Sequence, residues 1–127
     1  MDRSMARMAA QTLALGRVGF GVTALVAPSL PLRPWVGREI AWRPKAKLLG
    51  RALGGRDLAL GIGVLLALRH DTPVRGWVEA GALADAGDVL ATLCAFGTLP
   101  KKSRMMVLAL AGGAVAMARL TAPAVDA

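Results

Sequence analysis

Four apolar segments, over about residues 8–28, 48–68, 76–99 and 105–120, leave a chain of 127 residues little choice of architecture. Each approaches the roughly 20 residues that carry a helix across the hydrocarbon of a bilayer. The chain is 55% hydrophobic, with a mean hydropathy of +0.51, no Tyr and 2 Phe. A single domain of this size has too little interior to hide such an excess from water. The expected fold class is all-α, an integral membrane antiparallel four-helix bundle in which residues 1–127 form one domain. No segment is free of charge throughout. The longest uncharged runs, 18–32 and 105–118, fall short of the about 18 clean apolar residues by which a span is ordinarily recognised.

The links carry turn formers: Pro28, Pro31, Pro34 and Pro44 in the first, Asp71-Thr72-Pro73 in the second, Pro100-Lys101-Lys102-Ser103 in the third. Links this short favour antiparallel neighbours. Arg3 and Arg7 ahead of an apolar stretch have the look of a signal peptide, but Arg17 interrupts that stretch, so it is read as a retained first helix.

Charge placement narrows the class of partner. The net charge is +8, yet within the segments Arg17, Arg51, Arg56 and Arg119 balance Asp57, Glu79, Asp85 and Asp88. The surplus therefore sits in the links, as expected of loops facing anionic headgroups rather than of a nucleic-acid surface. Membrane lipid is the expected partner, and nucleic acid is not. The first and third links hold eight basic residues, against four on the other side (Arg3, Arg7, Arg69 and Arg75). That count places the first and third links in the cytoplasm and both termini outside. Trp35 and Trp42 flank the first link and Trp77 opens the third segment, on opposite sides if all four segments cross, as in interfacial aromatic belts. With Trp42 among them, Arg38, Arg43, Lys45 and Lys47 make residues 37–47 either a stretch lying on the membrane surface or a solvated loop.

Small residues recur every three or four positions in each segment and define one face per helix. The faces are Ala10, Ala14, Arg17, Gly21, Ala24 and Pro28; then Gly50, Gly54, Asp57, Gly61, Val64 and Leu68; then Gly81, Asp85, Asp88, Thr92 and Ala95. The fourth is Met105, Ala109, Gly112, Ala116 and Arg119. In lipid, helices associate through such close approach and through interhelical hydrogen bonds. Arg17, Asp57, Asp85, Asp88 and Arg119 all lie on these faces, so they are expected to point inward. Because an unpaired charge near the bilayer centre costs about 2.5–3.5 kcal/mol on insertion scales, a buried polar network is expected, with Arg17 or Arg56 facing Asp85 and Asp88. Arg56, about 100° around the helix from Asp57, is expected to address a different neighbour. Arg51 and Glu79, off the stripes and nearer helix ends, are expected to snorkel to headgroups.

The run Gly50-Arg51-Ala52-Leu53-Gly54-Gly55-Arg56-Asp57-Leu58-Ala59-Leu60-Gly61, then Trp77-Val78-Glu79-Ala80-Gly81 and Ala84-Asp85-Ala86-Gly87-Asp88, carries a likeness. With Gly16-Arg17 and Ala27-Pro28, it resembles a bacterial family of small four-span integral membrane proteins of unknown function, marked by R-x-x-G-x-R-D-x-x-x-G and D-x-x-D. The resemblance, over roughly residues 13 to 98, implies the four-helix fold and a multi-pass place in a bacterial cytoplasmic membrane, and it brings no activity to carry over.

Chemistry is weakly signalled. Asp85 and Asp88 at i, i+3 suit a proton relay or a hard-cation site, but arginine partners on the adjoining stripes favour a structural network. His70 lies in a polar link beside Asp71, and Cys94 reads as a small buried hydrophobe. No nucleophile-and-base arrangement, zinc cluster or phosphate loop is present. No catalytic residue, metal or cofactor is therefore expected. The favoured function is a non-catalytic accessory or scaffolding subunit of a membrane assembly, or a homo-oligomer. The alternative is a small transporter or membrane enzyme using Asp85 and Asp88 with Arg17 and Arg56 on protons, ions or lipid headgroups.

Overall fold

Helix starts and stops follow local chemistry in the computed structural model, which describes residues 1–127. Asp2 opens α1 (Arg3–Val26) by accepting the Met5 backbone N–H at 2.9 Å, an N-cap. The first link is not a loop but two short helices, α2 (Ser29–Val36) and α3 (Arg38–Ala41). Pro31 falls in the first turn of α2, where its missing N–H costs no helical bond. Gly37 ends α2 at φ 89°, a left-handed conformation that favours glycine, and its N–H returns to the Arg33 carbonyl at 3.0 Å.

Pro44 starts α4 (Pro44–Arg69) at its first position, and α5 (Arg75–Cys94) follows a tight turn through Asp71. The third helix ends at Cys94 rather than near residue 99. A single 3₁₀ turn, Phe96–Thr98, precedes Pro100, since the residue before a proline is pushed out of the helical region. Arg104 holds this turn, donating to the Phe96 carbonyl at 2.8 Å while its guanidinium lies 4.1 Å from the Phe96 ring centroid. The chain closes with α6 (Lys101–Thr121). No strand is present.

The four long helices form two antiparallel pairs, α1 with α4 and α5 with α6, and contact between the pairs is sparse. At one end Arg7 of α1 reaches Asp71 at 3.0 Å and the Leu68 carbonyl at 3.2 Å. There also the Asp126 carboxylate accepts the N–H groups of Val74 and Arg75 at 3.0 and 2.9 Å, capping α5 across 52 residues. Desolvation raises the Asp126 pKa, but those two N–H groups outweigh it and hold the carboxyl below its usual range. At the opposite end lie α2, α3 and the turn before α6, with Gly37 against Pro100.

Three of the four small-residue faces are the buried ones: Ala10, Ala14, Gly21 and Ala24 on α1, Gly50, Gly54, Asp57, Gly61 and Val64 on α4, and Gly81, Asp85 and Thr92 on α5. The fourth expectation is overturned. α6 buries Ser103, Val107, Ala118 and Thr121, while Arg119 and Ala116 are exposed and Met105 is 55% exposed. Gly and Ala occupy every side of α6, so small size marks no face there. Cys94 is likewise exposed rather than buried.

The interior is made of small residues and the exterior of large ones. The largest fully buried side chains are Val74, Val125, Thr92 and Thr121. Leu15, Leu48, Leu66, Leu83, Leu90 and Leu110 stand outward from the four long helices. Two helices, Arg3–Val26 and Lys101–Thr121, are long and apolar enough to cross a membrane. α4 and α5, of 26 and 20 residues, are of comparable length but carry the interior charges other than Arg17.

Candidate functional site

Arg17 leaves α1 between Ala14 and Gly21, on the face turned to α4, and reaches three residues on two helices, α4 and α5. Its Nη1 donates to Asp57 Oδ1 at 2.9 Å, and its Nη2 donates to the Gly81 carbonyl at 2.9 Å and to Asp85 Oδ2. Gly81 makes room for this: a Cβ there would lie 2.9 Å from Arg17 Nη2. Arg56, on the neighbouring face of α4, clamps Asp88 with two parallel bonds of 2.9 and 2.8 Å, the bidentate arrangement that a planar guanidinium favours. It also contacts Asp57 at 3.4 Å, so it pairs mainly, but not solely, with the other helix.

All five residues named for a polar network thus meet in one cluster at the junction of the two helix pairs. Asp57 and Asp85 are each 8% exposed. Two guanidiniums face three carboxylates, which leaves one negative charge. The bonds use Asp57 Oδ1 and Asp85 Oδ2, while Asp57 Oδ2 and Asp85 Oδ1 accept none from the chain. Arg119, read from sequence as inward, takes no part in it.

A second layer steadies α5. Trp35 of α2 donates its indole N–H to Thr92 Oγ1 at 3.2 Å, and Thr92 in turn donates to the Asp88 backbone carbonyl at 2.7 Å. Above the cluster, α1, α2, α5 and α6 leave a groove of about 530 Å³ whose floor holds Arg17, Asp57, Asp85 and Asp88 and whose walls include Leu13, Phe20 and Leu110. No set of three or more His, Cys, Asp or Glu is arranged to hold a metal ion.

The residues assigned to lipid contact divide. Arg38, Arg43 and Lys45 are exposed, and Arg43 pairs with Glu39 at 3.2 Å. Trp42 is 53% exposed with the Lys47 ammonium 5.0 Å from its ring centroid. Trp77, at the other end, lies over Gly63. Trp35 is turned inward. Arg51 is exposed and donates to the Leu25 carbonyl at 3.1 Å, and Glu79, also exposed, pairs with Arg75 at 2.6 Å.

Sequence reading missed the Trp35 to Thr92 bond, the Arg7 to Asp71 pair and the Asp126 cap. Thr92 stood on a small-residue face, which was a usable signal. Nothing local in the chain ties Asp126 to Val74. The chain matches no family model, no curated protein and no solved structure.

Proposed function

We propose that this is a multi-pass integral membrane protein whose four long helices all cross the bilayer, with the Arg17, Arg56, Asp57, Asp85 and Asp88 cluster at membrane depth. Its role is non-catalytic, as a small accessory or scaffolding subunit of a membrane assembly or as a homo-oligomer. The carrying observation is the inverted distribution of side chains, large apolar ones outside and small or paired polar ones inside. Water would penalise that surface by about 25 cal/mol for each Å² of apolar area, whereas lipid does not. It also explains why α4 and α5 carry so much charge for their length: the charges face one another, as intramembrane ionisable groups must.

The resemblance to small four-span bacterial proteins supports the same reading and a place in the cytoplasmic membrane. The first and third links share one end, which the basic count assigns to the cytoplasm. Carbonate washing followed by detergent extraction tests the membrane assignment. The protein is expected in the detergent fraction, and recovery in the wash as a soluble monomer overturns it. A tag in α3, reached only after the cell is opened, is the expected orientation result. Labelling in intact cells reverses it.

The transporter or enzyme alternative has one observation in its favour, the groove that leads to the charged floor. Gentle purification separates the two. A stoichiometric protein partner or a defined oligomer supports the accessory role, and a solitary species with a bound small molecule supports the alternative.

A further inference from the structure

We infer that the groove between α1, α2, α5 and α6 is a binding site for a lipophilic amine, its protonated nitrogen on Asp57 and Asp85 and its apolar body along the walls. At about 530 Å³ the groove falls within the range of roughly 300–1,000 Å³ typical of small-molecule sites.

Charge selects the head. The cluster that forms the floor, with Arg56 behind it, holds one carboxylate more than it holds guanidiniums, and neither α2 nor α6 contributes a charged side chain to the groove. An unbalanced negative charge is most strongly felt where water is scarce. Hydrogen-bond capacity selects the same head. Asp57 Oδ2 and Asp85 Oδ1 have no partner in the chain, so a primary ammonium has two acceptors for its N–H groups. The Trp35 and Phe20 rings line the same groove, and aromatic faces attract cations.

The walls select the body. Leu13, Phe20, Val107 and Leu110 offer only apolar surface, and the one wall donor, the Trp35 N–H, is already given to Thr92. A ligand whose polarity extended beyond its head would leave groups unpaired. Gly16 lines the groove, and a Cβ there would meet nothing within 4 Å. A side chain at position 16 therefore grows into the ligand's space without disturbing helix packing.

The inference goes beyond the accessory role, and the carbonate wash reads the membrane assignment separately, so either can fail alone. The test uses the full chain in phosphatidylcholine nanodiscs with Trp42→Phe and Trp77→Phe, which leaves Trp35 as the fluorophore. Dodecylamine is expected to change Trp35 emission saturably, while dodecanol and dodecanoate do not. Gly16→Leu is expected to weaken dodecylamine by about tenfold or more at an unchanged thermal midpoint, whereas Asp57→Asn weakens it with a lowered midpoint, because Asp57 also pairs with Arg17. Adding phosphatidylethanolamine distinguishes the source: competition with dodecylamine identifies a lipid headgroup as the ammonium, and its absence identifies a free amine. An equal response to dodecanol, or undiminished binding by folded Gly16→Leu, overturns the proposal. So does the absence of any saturable response.

Discussion

The seam between α1 and α4 and the junction between the two helix pairs are held by opposite means. In the seam, backbone meets backbone. A Cβ on Gly21 would sit 2.7 Å from the Gly54 carbonyl oxygen, one on Gly54 2.7 Å from the Ala24 Cβ, and one on Gly61 2.7 Å from the Ala14 carbonyl oxygen. At the junction the helices stand apart, and long side chains span the gap: Arg17 to Asp85, Arg56 to Asp88, Trp35 to Thr92. The seam should thus be sensitive to added volume, and the junction to lost charge. The same separation that requires ion pairs also opens the groove beside them.

The largest effect is expected at the junction. Asp85→Ala removes one of the two carboxylates that Arg17 holds and its tie to α5, leaving Arg17 with Asp57 alone, and breaking a buried pair from one side costs at most about 3–5 kcal/mol. Folded yield and thermal stability in detergent should fall sharply, less so for Asp85→Asn. Arg17→Met combined with Asp85→Leu should recover part of the loss. Recovery is incomplete because Arg17 also serves Asp57, which then keeps only the 3.4 Å contact with Arg56. Near-wild-type stability of Asp85→Ala would remove the network from any structural role.

At the seam, Gly54→Ala adds one methyl where none fits. Overpacking of this kind costs about 1–3 kcal/mol, and the loss should appear with every charge intact. A thermal midpoint equal to wild type would show that the seam can give way.

A smaller effect tests the end cap. The folded-state pKa of Asp126 is depressed, so its contribution is fully present above the unfolded carboxyl value of about 3.9. It is lost as pH falls through the folded value. Asp126→Ala should therefore melt below wild type at pH 7, and the gap should close in strong acid. A gap that persists there would assign the cap to packing rather than ionisation.

The smallest effect carries the opposite sign. Gly113 of α6 has open space where a Cβ would go, so Gly113→Ala should gain about 0.5–1 kcal/mol from helix propensity alone. A loss would reveal that α6 uses this face against a second copy or another subunit.

The extent to which these regions could be read in advance follows the same division. The seam was legible because its residues have no alternative use: Gly21, Gly54 and Gly61 recur at helical spacing beside much larger neighbours. The charged residues of the cluster could be assembled as a set, because each lies on, or one residue from, a buried face. Their pairing could not be, since Arg56 is within reach of both Asp57 and Asp88. α6 misled because its Ala and Gly content surrounds the helix.

The amino-acid sequence by itself determined the four long helices, the inward faces of three of them and the stock of charges that must meet inside. Periodicity and the cost of an unpaired charge in an apolar medium are local properties, readable from spacing alone. Only the tertiary structure decided which guanidinium takes which carboxylate, that Asp126 returns to cap α5, that α2 folds back to set Trp35 on Thr92, and that a groove remains over the charged floor. Those outcomes depend on how far apart the helix axes stand. That distance comes from the packing of the whole bundle, which no single segment encodes.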